Sequence, residues 1–316
     1  MKKHKMNFKI LCCVILSLSL YTYICVIFTP KSINDLGGKN YYGGMGFLAE
    51  PENSLDVIMY GNSDVYSGFI PALMYEKYGF SSYASGVQLQ SIKKINHLLK
   101  ATLKKQQPKI VILEVDCLYD KDSCLINNNN LFLASVMYHT RWKELKLRDF
   151  YTLPNRKNKY DITKGYEHSN YVYKFNPGKY MGHSTDKPAA IPAKNIKQLK
   201  FFLNTCSKKN IKVIFLELPS SVSWTYAKHN YISKIASEND IAFIDLNIPN
   251  SNYQADFQND FRDNGNHLNV YGAKKTTTFI GDFIEKKYKN IIIEAKKATV
   301  LDYWRDVVSY YYEQLS

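Results

Sequence analysis

Residues 55–64 read LDVIMYGNSD, and the fold follows from how this run is built. Leu55 to Tyr60 is apolar apart from Asp56, is short for a helix, and stops at Gly61, as a strand buried in a sheet does. A Gly-Asn-Ser turn follows. Residues 69–78, with Pro71 in the first turn, then read as a helix. The same alternation recurs further along. Residues 81–84 form a second strand ending near Gly86. Ile92, Ile95, Leu99 and Leu103 line one face of a helix over 88–105, and KIVILEV (109–115) is the strongest strand signal in the chain. Beyond it, helices over 195–207, 227–236 and 272–287 alternate with strands over 211–216 and 241–244. Strands alternating with helices predict a three-layer, doubly wound α/β domain of flavodoxin-like type around a mainly parallel sheet. Such sheets bind ligands at the carboxyl ends of their strands.

The 316-residue chain carries a net charge of +14. Residues 10–28 (ILCCVILSLSLYTYICVIF) hold no charge and match the length needed to span a bilayer. The lysines before them place the N-terminus in the cytoplasm and the remainder outside the cell. A cleaved signal peptide is the rival reading, but Ile-Phe-Thr-Pro at 27–30 is not a small-residue cleavage site. The expected organisation is a basic tail (1–9), a transmembrane anchor (10–28) and a linker (29–53). An extracytoplasmic domain (54–290) with an irregular insertion (118–192) follows, and then a C-terminal amphipathic helix (291–316). The tail's Val300, Trp304, Val307, Tyr311 and Leu315 follow helical spacing, which suits docking on the domain or contact with a membrane partner. The basic surplus favours an anionic neighbour such as a surface glycopolymer or lipid headgroups. The anchor argues against nucleic acid. Cys117, Cys124 and Cys206 outside the anchor are odd in number with no CxxC spacing, which favours free thiols, though a Cys117–Cys124 bridge is an alternative. No metal spacing is visible and no cofactor is implied.

Two segments carry the chemistry. In Gly61-Asn62-Ser63-Asp64, a serine leaves a buried strand through a sharp turn that exposes its hydroxyl and the amides at the helix start. A plain helix cap is the competing reading. In Asp263-Asn264-Gly265-Asn266-His267, a carboxylate precedes a histidine by four residues ahead of the last core helix. Serine needs a base, and the base needs a carboxylate to fix its tautomer. This segment supplies both, and the two loops can meet at one edge of a doubly wound sheet.

These blocks resemble the SGNH/GDSL hydrolase superfamily in its anchored, DltD-like branch. GNSDVYSGF (61–69) is similar to the first block, with the nucleophile at Ser63. SYASG (82–86) is similar to the second, whose glycine N–H, here Gly86, joins the Ser63 amide in the oxyanion hole. DNGNHLNVYGAKK (263–275) is similar to the last, with acid Asp263 and base His267. QPKIVILEVD (107–116), HTRW (139–142), KGY (164–166), LPSSVSW (218–224) and FIDLN (243–247) also fit that branch. The resemblance implies acyl transfer, of acetyl or D-alanyl groups, to a cell-surface polysaccharide. The partner it implies is a membrane-bound O-acyltransferase. A carbohydrate esterase and a non-catalytic assembly subunit are the alternatives. The chain departs from the pattern twice. Three residues rather than two separate Asp263 from His267, so either Gly265 absorbs the extra residue or Asn264 takes the acid's place. The usual G-x-N-D block is missing, which leaves a third oxyanion donor unassigned. Glu114 is read as a strand-end acid or a partner of the site, Gln88 and Gln90 as side-chain donors near Gly86 or plain solvent-exposed residues, and Trp224 with His229 as a groove wall or packing. His139, His168 and His183 read as surface or structural residues.

Overall fold

The computed structural model describes residues 2–42, 44–120, 131–154, 160–178, 180–182, 185, 187–249, 252–292 and 298–315, without the side chains of 2–7, 292 and 298–301. Cys124, His183 and the polar run 127–130 lie outside the described residues. In chain order the helices are α1 (Lys2–Phe28), α2 (Gly38–Tyr42), α3 (Ser63–Gly68), α4 (Pro71–Tyr78), α5 (Ile92–Thr102), α6 (Ala134–Met137), α7 (Ala193–Lys208), α8 (Tyr226–Glu238), α9 (Val270–Ile292) and α10 (Ala298–Glu313). The strands are β1 (Val57–Gly61), β2 (Ser82–Gly86), β3 (Ile110–Glu114), β4 (Lys212–Glu217) and β5 (Ala242–Asp245). The chain divides into two compact units, one of Met1–Gly43 with Cys124–Lys159 and one of Gly44–Ser123 with Tyr160–Ser316.

The second unit holds one five-stranded sheet in the order β2-β1-β3-β4-β5, and every pair is parallel. Successive side chains on a strand point to opposite faces, and the sequence supplies apolar residues to both. Val57, Met59, Ile110, Ile112, Ile214 and Leu216 bury one face together with Val65 of α3, Met74 of α4 and Ile280 and Ile284 of α9. Ile58, Tyr60, Val111, Leu113 and Phe215 bury the other, with Ile95 and Leu99 of α5, Leu199 and Phe202 of α7 and Ile232 of α8. This is the doubly wound α/β fold. Its strand order reverses at β1, so the turns after β1 and β3 open at the switch point where such sheets hold ligands.

The segment after Tyr160 runs along edge strand β2. The Ala84 N–H donates to the Lys164 carbonyl at 2.8 Å. Gly165 lies so close that a Cβ there would sit 1.9 Å from the Ala84 oxygen, at φ +90°. The Lys164 side chain is fully buried, with Nζ 2.9 Å from Glu50 Oε1, 4.7 Å from the Tyr160 ring centroid and 4.1 Å from that of Tyr303. The Tyr303 hydroxyl meets Lys164 Nζ and also donates to Glu50 Oε2 at 2.8 Å. Trp304, Val307 and Tyr311 of α10 are buried. The C-terminal stripe is therefore spent on its own unit.

In the first unit, the stretch Phe8–Phe28 of α1 is long and apolar enough to cross a membrane. The sequence suggests a helix over 131–150; α6 has four residues there, flanked by 3-10 turns at 131–133, 139–143 and 147–150. Buried Arg141 explains the compact path. Its guanidinium donates to the carbonyls of Ile27 and Thr29, at 3.1 and 2.9 Å, and to Asp149 at 3.1 Å. It thus satisfies acceptors that the end of α1 leaves open. Asp35 pairs with Arg148 and, at 3.6 Å, with Arg141. Residues 29–53, read as a linker from composition, carry α2 and a 3-10 turn over Met45–Ala49.

Candidate functional site

The site is built on the turn after β1. Gly61 ends the strand where no side chain fits, since a Cβ would lie 2.5 Å from Glu114 Cβ and 2.6 Å from Val65 Cγ2. Asn62 caps α3 by accepting the Asp64 N–H at 2.9 Å. Ser63 is then the first residue of α3, and amides of a helix's first turn have no acceptor within the helix. Gly86, at the end of β2, is paired in register with Gly61. A Cβ on Gly86 would stand 2.6 Å from the Asn62 carbonyl oxygen, so only glycine lets β2 pass beneath this turn.

Glu114 and Gln90 hold the turn from below. Fully buried Glu114 accepts the Asn62 N–H at 3.1 Å on one oxygen and the Asp116 N–H at 2.7 Å on the other. Burial pushes its carboxyl well above the usual range, and Asp116 and Asp64 add to the effect. Glu114 is thus a strand-end acid that also supports the site. Gln90, read as a side-chain donor near Gly86 or as a plain exposed residue, is fully buried. Its amide donates to the carbonyls of Gly61 and Ser85, at 2.8 and 2.9 Å, and ties the ends of β1 and β2 together. Gln88 is exposed.

The histidine loop is held at both ends. Phe261 and Leu268 form an antiparallel bridge, and Asn269 caps α9 by accepting the amides of Tyr271 and Gly272. Between them Gly265 adopts φ +82°, where a Cβ would strike Phe175 at 2.0 Å. This left-handed residue absorbs the extra position between acid and base. Ser221, from the LPSSVSW run, clamps the loop through its N–H to Gly265 O at 2.8 Å and its hydroxyl to Asn264 O at 3.1 Å.

The two loops converge. His267 Nε2 lies 2.9 Å from Ser63 Oγ, and His267 Nδ1 lies 2.6 Å from Asp263 Oδ2. The other oxygen of Asp263 accepts the amides of Asn266 and His267 at 2.8 and 2.9 Å. Burial pushes the Asp263 carboxyl up, but the hydrogen bonds from the His267 ring and these amides outweigh it, leaving the group below the usual carboxylate range. A carboxylate on Nδ1 leaves Nε2 free to accept the serine proton. Asn264 is exposed, and the carboxylate bonded to the imidazole is that of Asp263. Asp64 is buried beside this pair, and burial raises its carboxyl to about 7, against the lowering charge of His267.

Tyr66 is a neighbour that sequence reasoning missed. It stands one helical turn after Ser63, and its ring stacks on His267 at 6.3 Å and 8°. The Arg262 guanidinium sits 5.8 Å from the Tyr66 ring centroid and pairs with Glu167 at 2.9 Å. The i, i+3 spacing from the serine was the available signal. Trp224 is not a groove wall. It is buried, and its indole N–H donates to Asp245 at 2.8 Å. The same Asp245 oxygen receives His229 Nδ1 at 2.7 Å. Among the described residues, no cluster of three or more His, Cys, Asp or Glu side chains is arranged to hold a metal ion.

No family model and no curated protein matches the sequence. Similar solved structures exist. One is described as a lipolytic protein of the G-D-S-L family from Desulfitobacterium hafniense, with 12% identity, TM-score 0.39 and coverage of 72% of this chain and 98% of that one. A second, described as an acylhydrolase from Bacteroides fragilis, shares 13% identity at TM-score 0.40 and covers 78% and 94%. A third, a GDSL-like lipase from Bacteroides thetaiotaomicron, shares 12% identity at TM-score 0.40 and covers 78% and 98%.

Proposed function

We propose that the protein is a membrane-anchored, extracytoplasmic serine acyl-transfer enzyme of SGNH type. The observation that carries this reading is the unbroken hydrogen-bonded relay from Ser63 through His267 to Asp263. Ser63 Oγ attacks the carbonyl of an acyl donor while His267 Nε2 takes its proton. Asp263 holds the imidazole in the required tautomer and stabilises the imidazolium. The amides of Ser63 and Gly86 face the oxyanion as the tetrahedral intermediate forms. Collapse expels the donor's leaving group, protonated by His267, and leaves an acyl-Ser63 ester. A hydroxyl acceptor, deprotonated by His267, then takes the acyl group. The fully buried Glu114 keeps the nucleophile turn in place.

The acceptor we propose is a hydroxyl of a cell-surface glycopolymer; if the polymer is anionic, the chain beyond the anchor, with 38 basic against 28 acidic residues or +10, suits it. A membrane-bound O-acyltransferase would deliver acetyl or D-alanyl groups. Anchor retention is supported by the last turn of α1, whose end carbonyls are bonded by Arg141. A fluorophosphonate probe tests the nucleophile: wild type labels at Ser63 and the Ser63→Ala variant does not. Absence of labelling in folded wild-type protein rejects the enzyme reading. Scoring acyl transfer to an added glycan against release of free acid separates a transferase from a carbohydrate esterase.

A further inference from the structure

We propose that residues 131–154 lie in the outer half of the bilayer against α1, as a lipid-embedded collar. The proposal rests on the reading of α1 as a retained, membrane-spanning anchor. Single exposed apolar residues are ordinary on a soluble surface, whereas clusters mark a contact surface. Here Val136 is 64% exposed, Trp142 64%, Leu147 84% and Leu153 75%, with Phe132 and Tyr151 exposed as well.

The contacts with α1 set the depth. The Tyr21 hydroxyl donates to the Phe132 carbonyl at 2.6 Å, and the Tyr23 hydroxyl to the Phe150 carbonyl at 3.0 Å. Cys25 Sγ lies 3.3 Å from Ser135 Oγ. Tyr21 precedes the end of α1 by seven residues, about 10 Å along the axis at the helical rise. Helical side chains lean towards the N-terminus, so the bonded carbonyl lies no shallower than Tyr21 itself. The 21 residues Phe8–Phe28 are as long as a hydrocarbon core of roughly 30 Å. Anything level with Tyr21 is therefore inside that core.

Three further features fit lipid as the occupant. Backbone carbonyls in hydrocarbon must find partners within the protein, and the two tyrosine hydroxyls supply them. This accounts for polar side chains at 21 and 23 of an apolar helix. The run 131–138 (LFLASVMY) bears no charge, and Arg141, three residues on, bonds the Ile27 carbonyl at the end of α1, the level at which phosphate headgroups lie. Trp142 sits at that boundary, as interfacial aromatic residues do. The exposed apolar surface is also continuous in kind with that of α1, whose Leu16 and Leu18 are exposed.

The test uses the full chain in nanodiscs of phosphatidylcholine and phosphatidylglycerol with brominated acyl chains and no other protein. Trp224 and Trp304 are buried, so the difference between wild type and Trp142→Phe reports Trp142. Val136→Trp and Leu16→Trp, each in the Trp142→Phe background, report greater depths. We expect Trp142 to be quenched by chains brominated near the headgroup, the Val136→Trp protein by chains brominated a few carbons deeper, near the level of Cys25, and the Leu16→Trp protein by chains brominated towards the bilayer centre. Quenching at position 16 with full emission at 136 and 142 overturns the collar and leaves the anchor standing. Full emission at all three positions rejects the anchor reading, and the collar falls with it.

Discussion

Among the described residues the second unit contains two serine–histidine–aspartate chains, and they differ in what surrounds the serine. At the first, Ser63, His267 and Asp263 are linked at 2.9 and 2.6 Å. At the second, Ser233 Oγ lies 3.2 Å from His229 Nε2, and His229 Nδ1 lies 2.7 Å from Asp245. The side-chain inventories match. The backbones do not. Ser233 lies inside α8, four residues from His229, where its amide belongs to the helix ladder. Ser63 opens α3, with Gly61 and Gly86 pressed against its turn. Asp245 divides one oxygen between His229 and Trp224, whereas Asp263 gives His267 an oxygen of its own and keeps the other for the loop amides. On the function proposed above, the difference teaches that a proton relay serves acyl transfer only where the chain also frees amides for the oxyanion.

The widest separation should come from the serines and histidines. Ser63→Ala and His267→Ala should each lower turnover of an activated ester by about 10⁴-fold or more. Ser233→Ala and His229→Ala should leave it within about twofold, as expected of side chains outside the reaction. Loss of turnover in the Ser233→Ala protein would invert the comparison. Next come the acids. Asp263→Asn should cost about 10²–10⁴ in kcat through the wrong imidazole tautomer. Asp245→Asn should act on the melting temperature instead, at about 1–3 kcal/mol for disturbed buried hydrogen bonds.

The acids also differ with pH. The Asp263 carboxyl is held below its ordinary value, so its contribution to stability is full above about pH 4, the ordinary carboxylate value. It is lost as pH falls through the lowered value. Asp263→Asn should therefore flatten the acid limb of the stability curve measured by denaturant titration. Buried Asp64 has the opposite sign. With its carboxyl raised to about 7, it weighs against the fold increasingly from about pH 4 upward. Asp64→Asn should gain most at pH 8 relative to wild type. Gly86→Ala keeps the amide but drives a Cβ against the Asn62 carbonyl, and by displacing the turn it should lower kcat by about 10²-fold, the scale of one misplaced oxyanion donor. Tyr66→Leu should lower it by only about two- to tenfold, since aromatic stacking is worth about 0.5–1.5 kcal/mol.

The strands and the long helices were legible because apolar periodicity reports burial directly. LDVIMY and KIVILEV became β1 and β3, and the serine and histidine segments were legible through their glycines and the strand and helix that flank them. The rest depended on contacts between distant residues. Nothing local in QLQ (88–90) says that Gln90 turns inward to two carbonyls while Gln88 stays exposed. The choice between Asp263 and Asn264 turned on the positive φ of Gly265, which composition permits but does not dictate. The path of 131–154 escaped periodicity altogether, because Arg141 shapes it by binding the end of a helix over a hundred residues earlier.

The buried Lys164 has a consequence for the order in which the chain matures. Its counter-charge, Glu50, is made before it, but the tyrosine that completes its enclosure is made 139 residues after it. Until then the ammonium lacks part of the surroundings that offset its dehydration. The edge strand that Lys164 adjoins, with Gly86 at its tip, therefore gains its full enclosure only once Tyr303 has been made. A chain interrupted short of Tyr303 would carry the whole relay and still lack the closure that steadies it.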